Sequence, residues 1–464
     1  MGTQIDRLAG FVAETHWADV PEVVRRRTKL VLLDTLGVMF AGALRPEVAA
    51  LRRSLALNFG TGATIFAPRL PIADPGMAAM LNAIAARAVE MTEGLRGVQH
   101  AVHVVPGALA VAQQQRCSGE ALLEAVLLGY ELGGRIQLGF TPHALAHPNG
   151  QIALLSAVAS GARLHGLDAS GVALALRIGA TMIMTPSYIN ATTGGTALNL
   201  PAGVAAMACS LAPKLALAGF SANVDTVEEA LGRLVGRGFD AGSVADGLGD
   251  VWGITNNYFR FYACCNPIHP ALDALRDLID EYSPSPEAIE RIEFETFAFA
   301  AVMQNRDPSN YFASKYSLPH AAATLIARGG LGFSDLDDSA LVDSVIASLR
   351  SRVYVVENAE MTAEGPSLKP ARVVIRLKDG HVASAYRENS RRDTLRADPE
   401  ADVRAKFHEL AGVLLTPEGT KQLEAAVDRC EDWERVDEIV TIIATHLRRE
   451  SMARPIQEKE ADSR

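Results

Sequence analysis

The stretch AARAVEMTEGLRGVQHAVHVVP, residues 85–106, decides how the rest of the chain is read. It opens as an apolar helix and runs into a polar loop carrying Glu90, Glu93, His100 and His103. Carboxylates and imidazoles are the side chains that exchange protons near neutral pH. Beside a substrate pocket such a set would move a proton on carbon. As surface acids and satisfied core histidines, the same residues would do no chemistry. The deciding question is whether distant segments converge on this one.

Toward the N-terminus, residues 5–60 read as helices. Asp19 is placed to cap, Pro21 falls near a first turn, and Val23, Val24, Leu30, Leu33, Leu36 and Val38 recur at three- and four-residue steps. Leu33-Asp34-Thr35-Leu36-Gly37 and Ala41-Gly42 supply small residues for close packing. Residues 76–92 and 106–117 are Ala-rich and helical, and 120–138 continues as helix. There Glu131 and Arg135, four apart, are spaced to pair with each other. His147-Pro148-Asn149-Gly150 leads into an Ala/Ser/Gly-rich helix to Leu164, whose first amides suit a bound carboxylate. Residues 168–188 form another small-residue helix. Residues 187–197 (SYINATTGGTA) read as a loop by their Asn, Thr and Gly content, and 201–218 as helix.

A second region begins near residue 264, with a break at Ser283-Pro284-Ser285-Pro286. Residues 289–297 alternate apolar and polar, a strand pattern. Residues 317–328 and 337–350 look helical, 353–356 is a strand, and 371–386 is a hairpin with Asp379-Gly380 as its two-residue turn. The fold class is therefore mainly α with an α+β insertion over about 270–400. Helix returns from 402, where Thr416-Pro417-Glu418 is a capped start, and the charged tail from Arg448 is expected to fray.

The length of 464 residues makes two domains the default. The net charge of −10 and the brevity of the basic runs Arg25-Arg26-Arg27 and Arg391-Arg392 argue against a nucleic-acid partner. Five cysteines without a CxxC pair indicate neither a zinc site nor a disulfide framework, and Cys264-Cys265 read as small buried hydrophobes. The first residues lack a basic region followed by an apolar core, Gly2 lacks a myristoylation context, and no apolar run reaches membrane-spanning length. The expectation is a cytoplasmic protein with no membrane partner.

Taken together, these residues resemble the MmgE/PrpD family along nearly the whole chain, the family of 2-methylcitrate dehydratases, cis-aconitate decarboxylases and iminodisuccinate epimerases. The motifs that carry the resemblance are Leu33–Gly37, Gly129-Tyr130-Glu131 with Arg135, His147 with the helix to Arg163-Leu164 and Gly166-Leu167, Ala202-Gly203 with the helix to Gly219-Phe220, residues 258–269, Tyr316-Ser317-Leu318-Pro319, and Lys406-Phe407. The resemblance implies an all-helical large domain from both chain ends (1–268 and 402–464), a smaller α+β lid (269–401), a site between them and a homodimer. It also implies no metal and no organic cofactor, and a small carboxylate substrate from which a proton moves on a carbon next to a carboxylate.

The resemblance assigns residues as follows. An acid pair three apart falls on Glu90 and Glu93, each longer by a methylene than the usual aspartate. A histidine before the next helix's proline falls on His100, one residue closer than usual, with His103 as a spare. The histidine opening the following Ala-rich helix falls on His147. A lysine falls on Leu198, with Asn199 beside it. A second lysine falls on Arg260, with Cys265 and His269 in register. Outside these correspondences, Tyr188, in the loop 187–197 that departs from the family's usual sequence, and Lys315, immediately before Tyr316-Ser317, complete the substrate-binding set. His100, His147 and His103 are the catalytic candidates, and Arg260 with His269 would clamp a carboxylate. The implied function is a lyase, with dehydration foremost. An isomerase, or a lapsed relative that only binds a ligand, is the alternative, and the loss of lysine at Leu198 points to a less anionic substrate. All this requires His100, His147, Arg260 and His269 to meet in one cleft.

Overall fold

A computed structural model describes residues 3–55, 62–148, 150–242, 244–364, 368–390 and 399–448. The basic run Arg391-Arg392 and the charged tail beyond 448 lie outside the described residues. The first half is built of helices α1 (Gln4–Glu14), α2 (Glu22–Ala43), α3 (Pro46–Ser54), α4 (Pro75–Ala88), α5 (Ala101–Gln115), α6 (Gly119–Gly139), α7 (Ile152–Leu164), α8 (Ala169–Ala180), α9 (Ile189–Thr193) and α10 (Leu200–Leu217).

From Leu30 onward α2 is buried on every face, as expected of a helix without a polar stripe. Helices α4, α5, α7 and α10 pack on one another, and α6 lies along α7. Small residues set these approaches. A side chain on Gly42 would collide with the Ala85 carbonyl, and one on Gly133 with the Ser156 hydroxyl and the His100 ring. The apolar stretch Thr196–Leu217 is long and apolar enough to cross a membrane, contrary to the expectation from sequence. Its helix α10 spends that apolarity on α4, α5 and α7.

The chain ends meet. The helix Glu400–Ala411 packs along α2, and the helix Pro417–Asp428, capped by Thr416 as read, packs beside it. Between them lies a four-stranded sheet ordered β6-β5-β7-β8, formed by β5 (Ile289–Thr296), β6 (Val353–Glu357), β7 (Ala371–Leu377) and β8 (Val382–Arg387). Strand β5 is parallel to β6 and antiparallel to β7. Its inward side chains Ile289, Ile292, Phe294 and Thr296 are buried. The helix His269–Tyr282 covers β7 and β8, and the helix Leu318–Arg328 packs on β6.

Several local readings are corrected. Asp19 caps nothing on α2, whose N-cap is Pro21; Asp19 sits in a short 3-10 turn. His103 is not in the loop, because α5 begins at Ala101 and carries Pro106 inside it. Residues 187–197 contain the short helix α9, not a plain loop. The β7–β8 connection spans 378–381, with Gly380 at φ +92°, so Asp379-Gly380 is part of a four-residue turn. Two small two-stranded sheets went unread because their strands have only two to four residues: β1 (Ala63–Thr64) with β2 (Ile72–Ala73), and β3 (Phe140–Pro142) with the distant β4 (Gly236–Phe239).

Candidate active site

The loop between α4 and α5 is pinned from three sides. Lys406, 5% exposed, donates to Asp34 Oδ1 at 2.7 Å and to the Met91 carbonyl, tying the loop to α2 and to the C-terminal helix. Gly94 exchanges backbone hydrogen bonds of 3.0 and 2.9 Å with Tyr258. Glu93 accepts from the Ala101 amide (3.0 Å), the Tyr130 hydroxyl (2.5 Å) and the Asn257 amide (3.2 Å). Its carboxylate thus caps α5, where negative charge suits the helix dipole. Burial outweighs these three donors and lifts its pKa to about 7.

Glu131 and Arg135 do not serve each other as spaced to do. Glu131 accepts from the amides of Gly253 and Ile254 at 2.8 and 2.7 Å. Arg135 donates to the carbonyls of Asp246, Gly247 and Val251. Both brace the segment leading into Tyr258.

Glu90 sits at φ +55°, a left-handed conformation that a non-glycine residue adopts only when its surroundings hold it there. They do. Arg87, at the end of α4, pairs with one carboxylate oxygen, and Arg260 pairs with the other at 2.5 Å. The Tyr316 hydroxyl donates to Glu90 Oε2 at 3.0 Å and accepts from Arg87 Nη2 at 2.9 Å. All four side chains are buried. One carboxylate thus lies between two guanidinium groups.

The imidazoles divide into two groups. His103 lies in the first turn of α5, its Nδ1–H on the Gln99 carbonyl (2.6 Å) and its Nε2 accepting from the Gly150 amide (3.2 Å). These bonds fix one neutral tautomer. Burial lowers its pKa to about 3, with the charges of His100 and Arg87 adding to this. His147 stacks on Tyr188 at 5.2 Å between ring centres and 16° between planes. Its pKa lies well below the ordinary value, first from burial, then from the charges of Arg87, Arg260 and His103. Cys265 lies close enough to act on Tyr188, and burial holds the Tyr188 hydroxyl protonated far above neutral pH. The ring of Tyr188 meets that of Phe299, which is 43% exposed, at 5.1 Å. The half-buried Tyr188 is therefore the boundary between solvent and His147.

His100 stands apart from that cluster. Its Nδ1 meets Ser156 at 3.0 Å, its Nε2 meets Gln137 at 3.3 Å, and its ring lies edge-on to Tyr130. His269 bonds the Cys264 carbonyl at 3.0 Å and lies edge-on to Tyr262. Lys315 turns away altogether: its side chain donates to the Leu336 carbonyl and lies over the Tyr311 ring at 4.0 Å. Burial lowers its pKa to about 7. Leu198 and Asn199 are buried in a 3-10 turn packed against α4. The contacts gather His147, Tyr188, Arg260 and Glu90 with Arg87, Tyr316 and His103, while His100 bonds toward α6 and α7 and His269 bonds the Cys264 carbonyl.

Arg87 and Tyr316 were not read as functional from sequence. One signal was available for Arg87: a charged residue inside an apolar helix is seldom fully buried unless paired. Among the described residues no cluster of three or more metal-ligating side chains occurs, and all five cysteines are free thiols. The arrangement offers a neutral imidazole to accept a proton, a phenol to donate one, and guanidinium groups to hold an anion.

The profile of the MmgE/PrpD N-terminal domain matches residues 6–236, and that of the MmgE/PrpD C-terminal domain matches residues 262–432. The chain is similar to a protein named cis-aconitate decarboxylase from Aspergillus terreus, at 24% identity over 90% of this chain and 93% of the relative. It is also similar to a cis-aconitate decarboxylase-like protein, oryM, from Aspergillus oryzae, at 22% identity over 96% and 98% of the two chains.

Proposed function

The chain belongs to the MmgE/PrpD family, and from that premise we propose that it is a lyase acting on a small carboxylic acid. The observation that carries the reading is the buried cluster in which His147 and Tyr188 stack beside Arg87 and Arg260. A proton on carbon next to a carboxylate is weakly acidic. Removing it requires a base and a positive environment for the charge that develops. His147 is neutral and accepts that proton. With the arginines alone beside it, His147 is a weak base; an incoming carboxylate offsets their charge and raises its basicity. The substrate thus completes the base that acts on it. Tyr188, protonated and at the solvent boundary, supplies the acid. His103, held between Gln99 and Gly150, positions the start of α5.

Loss of water is the first form of this reading. Loss of carbon dioxide is the second, favoured by the relatives that span nine-tenths of the chain. Proton return without a leaving group would make the enzyme an isomerase. The reading calls on no cofactor. The division into a helical body (1–268 and 402–464) and an α+β lid (269–401), a homodimeric assembly and a cytoplasmic location belong to the same proposal, resting on family resemblance and composition. The test is incubation with a panel of small mono-, di- and tricarboxylic acids, following carbon dioxide release and alkene absorbance. Water loss or carbon dioxide release with any of them supports a lyase. Carbon-bound deuterium uptake without net conversion would replace it with an isomerase, and no reaction with any acid would refute it.

A further inference from the structure

Arg87 is fully buried in α4, where it is the one charged residue. A guanidinium has five N–H donors. Arg87 spends one Nη on the Glu90 carboxylate and the other on the Tyr316 hydroxyl. Its Nε has no hydrogen-bond partner. A buried donor left unmade costs about 1–3 kcal/mol, so such a group persists where something other than the fold uses it. The Nε edge is also the edge that meets a carboxylate through two parallel bonds.

The surroundings fit such a ligand. Arg87 meets Glu90 and Tyr316 directly, and its charge acts on His147, His103, Tyr188 and Cys265. Glu90, shared with Arg260, keeps the Arg87 plane fixed, so little side-chain entropy is lost when an anion arrives. We propose that Arg87 binds one carboxylate of the substrate through its Nε edge. This rests on the carboxylic-acid reading above and assigns the anchoring group within it. Arg87 is then a binding residue that sets the distance from the carboxylate to His147.

The test uses the full chain, with acetate, succinate and citrate as probes of carboxylate binding by thermal shift, alongside steady-state kinetics on whichever acid turns over. Arg87→Lys keeps the charge and loses the planar edge. Arg87→Gln with Glu90→Gln removes the Arg87–Glu90 pair together and leaves Arg260 without that carboxylate. Arg87→Lys should raise KM about tenfold to a hundredfold, the range for one lost bond to a charged group, with kcat changed far less. The double variant should lose carboxylate-induced stabilisation while keeping its circular dichroism spectrum. Unchanged carboxylate affinity in both variants would overturn the assignment and leave the lyase reading standing. Absence of any carboxylate stabilisation in the unmodified protein would overturn both. Should the double variant fail to fold, the KM of Arg87→Lys alone decides.

Discussion

Replacing Lys406 with methionine should destabilise the protein in a way that depends on pH. Methionine keeps the length and packing of the stem and removes the ammonium. In the native chain that ammonium touches Asp34 Oδ1 at 2.7 Å and the Met91 carbonyl, with both side chains buried. Breaking a buried ion pair from one side costs about 3–5 kcal/mol, because the other charge is stranded. Asp34 has an escape: it can take up a proton. Each pH unit above the ordinary carboxyl value of 3.8 makes that protonation dearer by about 1.4 kcal/mol, which caps the Asp34 penalty at about 4 kcal/mol at pH 7 and about 2 at pH 5. The sign follows from linkage. A carboxyl whose folded pKa is raised makes the folded state hold the proton more tightly, so stability falls as pH rises through that window. Urea unfolding at pH 5 and pH 7 reads both numbers. Adding Asp34→Asn to Lys406→Met should recover most of the loss at pH 7 and little at pH 5. A loss below about 1 kcal/mol at pH 7, or one that does not change between the two pH values, would refute the claim that this pair pins the loop.

Three further outcomes follow from the same geometry. Tyr188→Phe keeps the stack on His147 and removes the hydroxyl, so turnover should fall about a hundredfold or more with unchanged stability; near-normal turnover would exclude the phenol as acid. Glu93→Gln must point its amide N–H either at the Ala101 amide or at the Tyr130 and Asn257 donors, so urea unfolding at pH 7 should show a loss of about 1–3 kcal/mol. His320 is buried and its pKa is lowered to about 3, first by burial and then by Arg350. Its contribution is therefore complete above the unfolded value of 6.5 and is lost as pH falls toward the folded one. His320→Gln should remove about 1.4 kcal/mol per pH unit from the stability loss between pH 6 and pH 4, measured by urea midpoints.

The helical body was legible because its helices are long and their apolar spacing is unambiguous, as in α2 and α6. The sheet was legible where alternation ran for a full strand, as in β5. The two-stranded sheets β1–β2 and β3–β4 were not, since strands this short carry no periodicity. In the candidate site, Glu90, His147 and Arg260 were named through the family resemblance, which aligns short motifs in chain order. Arg87 and Tyr316 act through contacts across more than 220 positions of sequence, which no local pattern encodes. His100 and His103 lie three positions apart, and no sequence pattern shows that His100 bonds toward α6 and α7 while His103 bonds Gln99 and Gly150. Lys315 has the same history: its backbone carbonyl meets the Cys265 amide at 2.8 Å while its amine leaves in another direction.

The measurement closest to the central claim is deuterium uptake at carbon. In heavy water, nuclear magnetic resonance of the acid that turns over should show exchange next to its carboxylate with the unmodified protein. With His147→Gln that exchange should be at least a hundredfold slower while the circular dichroism spectrum is unchanged. A His147→Gln protein that exchanges the same hydrogen at the unmodified rate would contradict the account.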